Sequence, residues 1–316
     1  MREYSCLFPW PAAAWLAVAA NPDYARSRAP RGRLGTTLET VSDRPDSTGS
    51  AANEPPQDSY IAVTGAAGSV GPAMAAAFLQ RGWRVAMLTR PGREGSALDK
   101  LAELDAAHDD DRVAAFGANL DEPRSAIAAV SAADERFGHP AALLNLAGGF
   151  TLRPATESGL DDVDAMMAKN FRSAVVATKA VLPSMRARGG GFVLAMGAGA
   201  ATQAAPGRTA YAAAKAALAA YFRSLSAELK GTGIGAGILH PMGTIDTPPN
   251  RQAMPNADFS SWIGVDAVVE AALYLMAAST ASPQLAPTTA DAIGTGHGGP
   301  LASRGRVPEL ELYPGR

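Results

Sequence analysis

The chain has 316 residues, 47% of them hydrophobic and 18% charged, with a formal net charge of −2. That is a globular composition with ample material for a core, and the length permits one or two domains. The even charge balance and the lack of a basic block argue against a nucleic-acid partner. Cys6 is the single cysteine, so no internal disulfide can form, and a reducing compartment and a cytoplasmic location are the simpler expectation. His108, His139, His240 and His297 have no metal-ligand spacing, so no metal site is expected.

Residues 1–58 differ from the rest. The stretch 6–20 is apolar but is broken by Pro9 and Pro11 and is too short to span a membrane. Ala17-Val18-Ala19 has the form of a signal-peptide cleavage site. The leading residues Met1 to Ser5 carry no net positive side-chain charge, however, which disfavours secretion. Residues 21–58 are rich in Pro, Ser, Arg, Asp and Gly without hydrophobic period. This is the composition of a disordered N-terminal extension, or of sequence placed ahead of the true start.

From residue 59 strand-like and helix-like runs alternate. Residues 60–63 form a short apolar run. The chain then turns through Gly65, Gly68 and Gly71 and continues as a helix-forming run over 74–81 that stops at Gly82. Strands are predicted over 84–89, 113–119, 141–146, 192–196 and 234–239. Helices are predicted over 96–107, 124–137, 161–188, 209–230 and 265–277. This alternation gives an α/β fold, a doubly wound parallel sheet of the Rossmann type covered on both faces. The site then lies at the carboxyl ends of the strands.

Strand, glycine turn and helix, in that order, suit a dinucleotide. Glycine lets backbone approach a pyrophosphate where a Cβ would collide, and the helix start offers unpaired N–H groups and a partial positive charge. Candidate contacts are Gly65, Gly68, Ser69, Val70 and Gly71. The end of the second strand normally touches the adenine ribose, and an acidic residue there would reject a 2′-phosphate. Here it is Thr89-Arg90, with Arg93 close behind. A guanidinium pairs bidentately with phosphate, so NADP(H) is expected over NAD(H), the alternative being that Arg90 is a solvated loop arginine. Asn119 and Leu120 end the third strand, beside the adenine. Asn145, Ala147 and Gly148 end the fourth, where small residues let a cofactor lie against backbone.

Tyr211 and Lys215 are four apart on a predicted helix and share a face. A phenol titrating near 10 is a poor acid at neutral pH. A lysine cation about 4 Å away at an effective dielectric of about 20 contributes roughly 4 kcal/mol, enough to bring the phenol near neutrality. The pair alone is common by chance and reads equally well as a surface pair on an alanine-rich helix.

The glycine turn, Asn145-Leu146-Ala147-Gly148, Asn170, Tyr211-x-x-x-Lys215 and the loop at Pro241 occur in the order and spacing of the short-chain dehydrogenase/reductase family, which residues 59–279 resemble. The resemblance implies that Tyr211 is the acid/base and that Lys215 lowers its pKa and holds the nicotinamide ribose. Asn170 would support a proton-relay water, a role compatible with bonding to backbone. Pro241 would adjoin the cofactor.

Three features depart from the family pattern. Ser69 replaces a motif glycine. Ala198 stands thirteen residues before Tyr211, where the family places a catalytic serine. The stretch after the sixth strand lacks the usual Pro-Gly pair. Ala198, the Ala147-Gly148-Gly149-Phe150 run and residues 246–262 resemble the dihydropteridine reductase-like subgroup, which acts on a quinonoid, imine-like pterin that needs no serine to polarise a carbonyl. Thr89 and Asn170 differ from that subgroup's residues. Another flat or imine-like substrate reduced by NADPH fits as well as a pterin. Phe150 would stack on a flat ring. Met196, Met242 and Trp262 are possible pocket walls, and residues 244–262 form a substrate lid rather than a solvent-facing connection.

Alanine-rich faces on the helices over 161–188 and 209–230 permit close approach. In the family such helices pair across a twofold axis, which implies a homodimer or homotetramer. Residues 280–316 are rich in Pro, Gly and Thr and are expected to be irregular, with a hint of strand only at 290–293. The expected function is an NAD(P)H-dependent oxidoreductase on a small-molecule substrate, without membrane or nucleic-acid partner. A nucleotide-binding regulator that has lost turnover is the competing reading. An isomerase or dehydratase on the same fold is a third.

Overall fold

The computed structural model describes residues 58–104, 110–280 and 309–314. The readings of residues 1–57, of His108 and His297, and of a strand at 290–293 lie outside them. Among the described residues no helix is long and apolar enough to cross a membrane.

Seven parallel strands form one sheet in the order β3-β2-β1-β4-β5-β6-β7. They are β1 (Ser59–Thr64), β2 (Arg84–Thr89), β3 (Val113–Gly117), β4 (His139–Asn145), β5 (Gly191–Met196), β6 (Ile234–Pro241) and β7 (Glu309–Leu312). The chain builds outward from β1 through β3, then returns to start β4 on the other side of β1. The crevice between β1 and β4 is thus the switch point, where a parallel sheet leaves room for a ligand.

The inner strands are buried on both faces, and alternate residues feed two cores. Ile61 and Val63 face α1 (Gly71–Gln80), α2 (Glu94–Ala102) and the long C-terminal helix at Val265–Thr280. Tyr60 and Ala62 face α3 (Pro123–Phe137), α5 (Ser173–Arg188) and α6 (Thr209–Glu228). Phe78 on α1 and Phe222 on α6 are fully buried, one in each core. Each contributes about 2–3 kcal/mol by leaving water. Tyr60 is also fully buried, and its hydroxyl is satisfied by donating to Asp134 at 2.8 Å.

Four local expectations change. The predicted helix over 161–188 is α4 (Leu160–Met167), a π turn at Ala168–Arg172, and α5. Asn170 Nδ2 donates to the Met166 carbonyl and Ser173 Oγ to the Lys169 carbonyl, so side chains take acceptors that a regular helix would use. The segment after β6 is not all loop. It contains α7 (Pro248–Ala253), capped by Thr247, and an Ile245–Ile263 bridge. The helix predicted over 96–107 starts earlier and ends earlier, as α2.

The C-terminal region, expected to be irregular, supplies β7. Leu239 pairs with Leu310 and Pro241 with Leu312, and Arg223 on α6 holds Glu309 through two hydrogen bonds. The final helix at Val265–Thr280 is α8.

Candidate active site

The carboxyl ends of β1 and β4 are tied together by one hydroxyl. Thr64 Oγ accepts from the amides of Leu146 and Ala147, both at 3.1 Å. Gly65 follows with φ +65°, a conformation that glycine tolerates and other residues rarely adopt. A Cβ on Gly65 would lie 2.8 Å from the Ala147 nitrogen, and one on Gly71 would lie 2.6 Å from the Ala66 Cα. Gly65 therefore lets the turn pack against the end of β4, and Gly71 lets it pack against its own backbone. Gly68 and Ser69 are exposed at the mouth and Val70 is half-buried.

Several features suit a dinucleotide. Val70, the N-cap of α1, gives no side-chain cap and Pro72 has no N–H, so the amides of Gly71 and Ala73 are left for an outside acceptor. Lys100 reaches across from α2 and donates to the Ala67 carbonyl at 2.6 Å, placing a cation in the turn. Asn145 is buried. Its Nδ2 faces Thr178 at 3.4 Å and its Oδ1 has no hydrogen-bond partner among the described residues. Thr89 is buried beside the turn, where the Ala66 amide donates to the Leu88 carbonyl. Arg90 and Arg93 are exposed at the following bend. Asn119 is engaged locally, its Nδ2 with Glu122 and its Oδ1 with the Asp121 amide, and Leu120 packs on the core behind it.

The groups expected to do chemistry converge on the next strand ends. Asn170 is 1% exposed and clamps Gly149, donating to its carbonyl at 2.9 Å and accepting from its amide at 3.2 Å. Gly148 lies over this clamp. A Cβ there would meet Asn170 Oδ1 at 2.8 Å and Lys215 Nζ at 3.9 Å. Lys215 is buried on α6 and donates to the Met196 carbonyl at 2.7 Å, at the end of β5. Tyr211, one turn earlier, meets the Phe150 ring edge-on at 5.0 Å between centroids. Thus Tyr211, Lys215, Asn170, Gly148, Phe150 and Met196 share one place, beside the glycine turn through Ala147.

Other expected wall residues sit further along. Pro241 ends β6 and Met242 packs on Gly199, where a Cβ would lie 3.2 Å from the Met242 Cα. Trp262 makes its ring contact with Phe259, at 4.7 Å, and Arg251 covers Phe259 while pairing with Asp246. These residues brace the segment after β6 from within.

The electrostatics correct one expectation. Burial pushes the Tyr211 phenol up to about 12, and the cation that opposes the rise is Arg208. Lys215 stands 5.8 Å from the Tyr211 ring centroid with its ammonium turned to Met196, so its field is not delivered at the hydroxyl as a 4 Å pair would deliver it. Burial also pulls Lys215 down to about 8. Ala198 is buried where a serine hydroxyl would have pointed in, and its carbonyl faces His240 Nδ1 at 3.3 Å.

Arg208, Lys100, Thr64 and His240 did not stand out in the sequence. Arg208 alone had a readable signal, a cation three residues before the tyrosine, at the start of the same helix.

Comparison with known proteins agrees with this arrangement. The short chain dehydrogenase family matches residues 59–258. A short chain dehydrogenase of Pseudocercospora fijiensis is 32% identical over 58% of this chain and 59% of its own, so this chain spans less than two thirds of that relative. The 2-(R)-hydroxypropyl-CoM dehydrogenase of Xanthobacter autotrophicus is 32% identical over 59% of this chain and 74% of its own. A short-chain dehydrogenase/reductase from Serratia marcescens has the same fold, with a TM-score of 0.64 at 23% identity, over 81% of this chain and 98% of its own. With a parallel sheet that opens at the β1–β4 crevice and a matching sequence across most of it, the chain belongs to the short-chain dehydrogenase/reductase family of NAD(H)- or NADP(H)-using oxidoreductases.

Proposed function

We propose that the chain is an NADP(H)-dependent reductase of a flat, imine-like or carbonyl small molecule, with Tyr211 as proton donor. The observation that carries this reading is the convergence of Tyr211, Lys215 and the Asn170–Gly149 clamp next to the glycine turn. A bound dinucleotide would supply the hydride. The substrate heteroatom takes a proton from Tyr211, which becomes phenolate. A phenol at about 12 is protonated throughout the neutral range, the form needed in that direction. Arg208 stabilises the phenolate. Lys215 keeps further N–H donors for the ribose hydroxyls beside its bond to Met196. Asn170 positions Gly149, whose backbone would help hold the cofactor.

The 2′-phosphate preference is supported by the buried, uncharged Thr89 and by exposed Arg90 and Arg93, which have no ion pair among the described residues. A flat substrate, a quinonoid pterin among them, is supported by Ala198 and by the 56% exposed Phe150 ring beside Tyr211. We assign the working domain to 59–279 plus the strand at 309–312. Exposed Ala213, Ala216 and Ala220 on α6 support its pairing with a second copy.

The test is oxidation of NADPH and NADH against quinonoid dihydropterin, imines, quinones and ketones. NADPH should be preferred, and Tyr211→Phe should reduce turnover about 100- to 10,000-fold while NADPH still binds. No oxidation of either cofactor with any substrate would favour a nucleotide-binding regulator. Equal rates with both cofactors would remove the role of Arg90.

A further inference from the structure

We propose that the substrate carries an anionic group and that Arg208 binds it. The proposal rests on the reductase reading and narrows its substrate class. Arg208 is the N-cap residue of α6, one turn before Tyr211. Its guanidinium carbon lies 5.8 Å from the centroid of the Phe150 ring, and that ring meets Tyr211 edge-on at 5.0 Å between centroids. Its charge is also felt at the Tyr211 phenol, where it opposes the effect of burial. The cation is therefore within electrostatic reach of the reacting position, separated from it by one aromatic ring.

Arg208 also lines a cavity of about 300 Å³, together with Ala200, Ala201, Thr202, Gln203 and Thr209. That wall is the segment following Ala198, so it adjoins the place where the family's serine would stand. Small methyl groups, two hydroxyls and an amide line it, and no acidic side chain does. Arg153, Arg223 and Arg251 each pair with a carboxylate, whereas Arg208 has no ion pair among the described residues. An exposed guanidinium held over a ring, with its planar donors unclaimed, suits a carboxylate, sulfonate or phosphate bidentately. Arg208 and Thr209 place the start of the 20-residue helix α6 in the cavity wall, where the helix's positive end adds to the attraction for an anion. Phe150 would then cover the uncharged part of the molecule while its reactive C=O or C=N faces Tyr211.

The specificity follows from where the charge sits. A neutral analogue of the same shape leaves Arg208 desolvated by the substrate without a partner, which disfavours it.

The experiment uses the full chain with NADP⁺ bound and titrates benzoate against its neutral isostere benzamide by calorimetry. Benzoate should bind about 10- to 100-fold more tightly, the preference should fall to about one in Arg208→Gln, and Arg208→Lys should retain part of it. Equal binding of the two probes, binding of neither, or a preference that survives Arg208→Gln would overturn the proposal. A parallel turnover arm compares a keto acid with its methyl ester. Arg208-dependent benzoate binding without any NADPH oxidation would keep the anion site and defeat the reductase reading. NADPH oxidation without a benzoate preference would do the reverse.

Discussion

Lys215 sets stability against chemistry. Its side chain is 5% exposed, its ammonium donates to the Met196 carbonyl at 2.7 Å, and no carboxylate among the described residues pairs with it. Burial pulls its pKa from 10.5 to about 8. At 1.36 kcal/mol per pKa unit, holding that charge inside the fold at neutral pH costs about 3 kcal/mol. Lys215→Met keeps the stem and removes the charge. Leaving the half-buried Met196 carbonyl without its donor costs about 1 kcal/mol. The cofactor-free variant should therefore be about 2 kcal/mol more stable than the wild type at pH 7, read from urea unfolding. Below about pH 8 folded and unfolded chains both carry the proton, and the full penalty stands. Between about 8 and 10.5 only the unfolded chain holds it, so wild-type stability climbs with pH. By pH 10.5 the advantage of the variant should be gone, while its turnover is lost at every pH. A variant no more stable at pH 7, or one with the same gain at both pH values, would refute the reasoning.

Gly65→Ala should weaken NADPH binding at least about tenfold and lower Tm by several degrees, because φ +65° and the Ala147 nitrogen at 2.8 Å leave no room for a methyl group. Fluorescence titration and thermal melting check it, and unchanged affinity would show that the turn is looser than its contacts imply. His240 is 2% exposed, with Nε2 facing Glu309 at 3.9 Å, beyond hydrogen-bond reach; burial lowers its pKa with the help of Arg223, although the Ala198 carbonyl, Glu309 and Glu311 oppose this. Below about pH 6.5 the unfolded chain then binds the extra proton, and wild-type stability falls as pH drops. His240→Gln should flatten melting temperature between pH 5 and 7, and parallel curves for the two proteins would count against the buried neutral imidazole.

What the sequence revealed was whatever the backbone demands locally. A positive φ calls for glycine at 65, helical period puts Tyr211 and Lys215 on one face, and alternating runs give a parallel sheet. What stayed hidden depends on distant groups. Lys100 reaches Ala67 from the next helix, and the π turn exists because Asn170 and Ser173 claim carbonyls of their own helix. β7 is only four residues, Glu309-Leu-Glu-Leu, after a long Pro- and Gly-rich stretch, so its two inward leucines gave too short an alternation to notice. The Tyr211 shift was misjudged because spacing supplies a charge separation but not the burial that outweighs it.

β7 also has a practical side. The Leu312 carbonyl accepts the Met242 amide at 2.8 Å, and a Cβ on Gly243 would meet the Pro314 ring at 2.9 Å. Substitutions within Glu309–Pro314 would therefore be felt by the residues where the segment after β6 leaves the sheet. Clipping the chain ahead of residue 309 would instead strip β6 to a raw margin, ready to recruit a strand from any neighbour in solution.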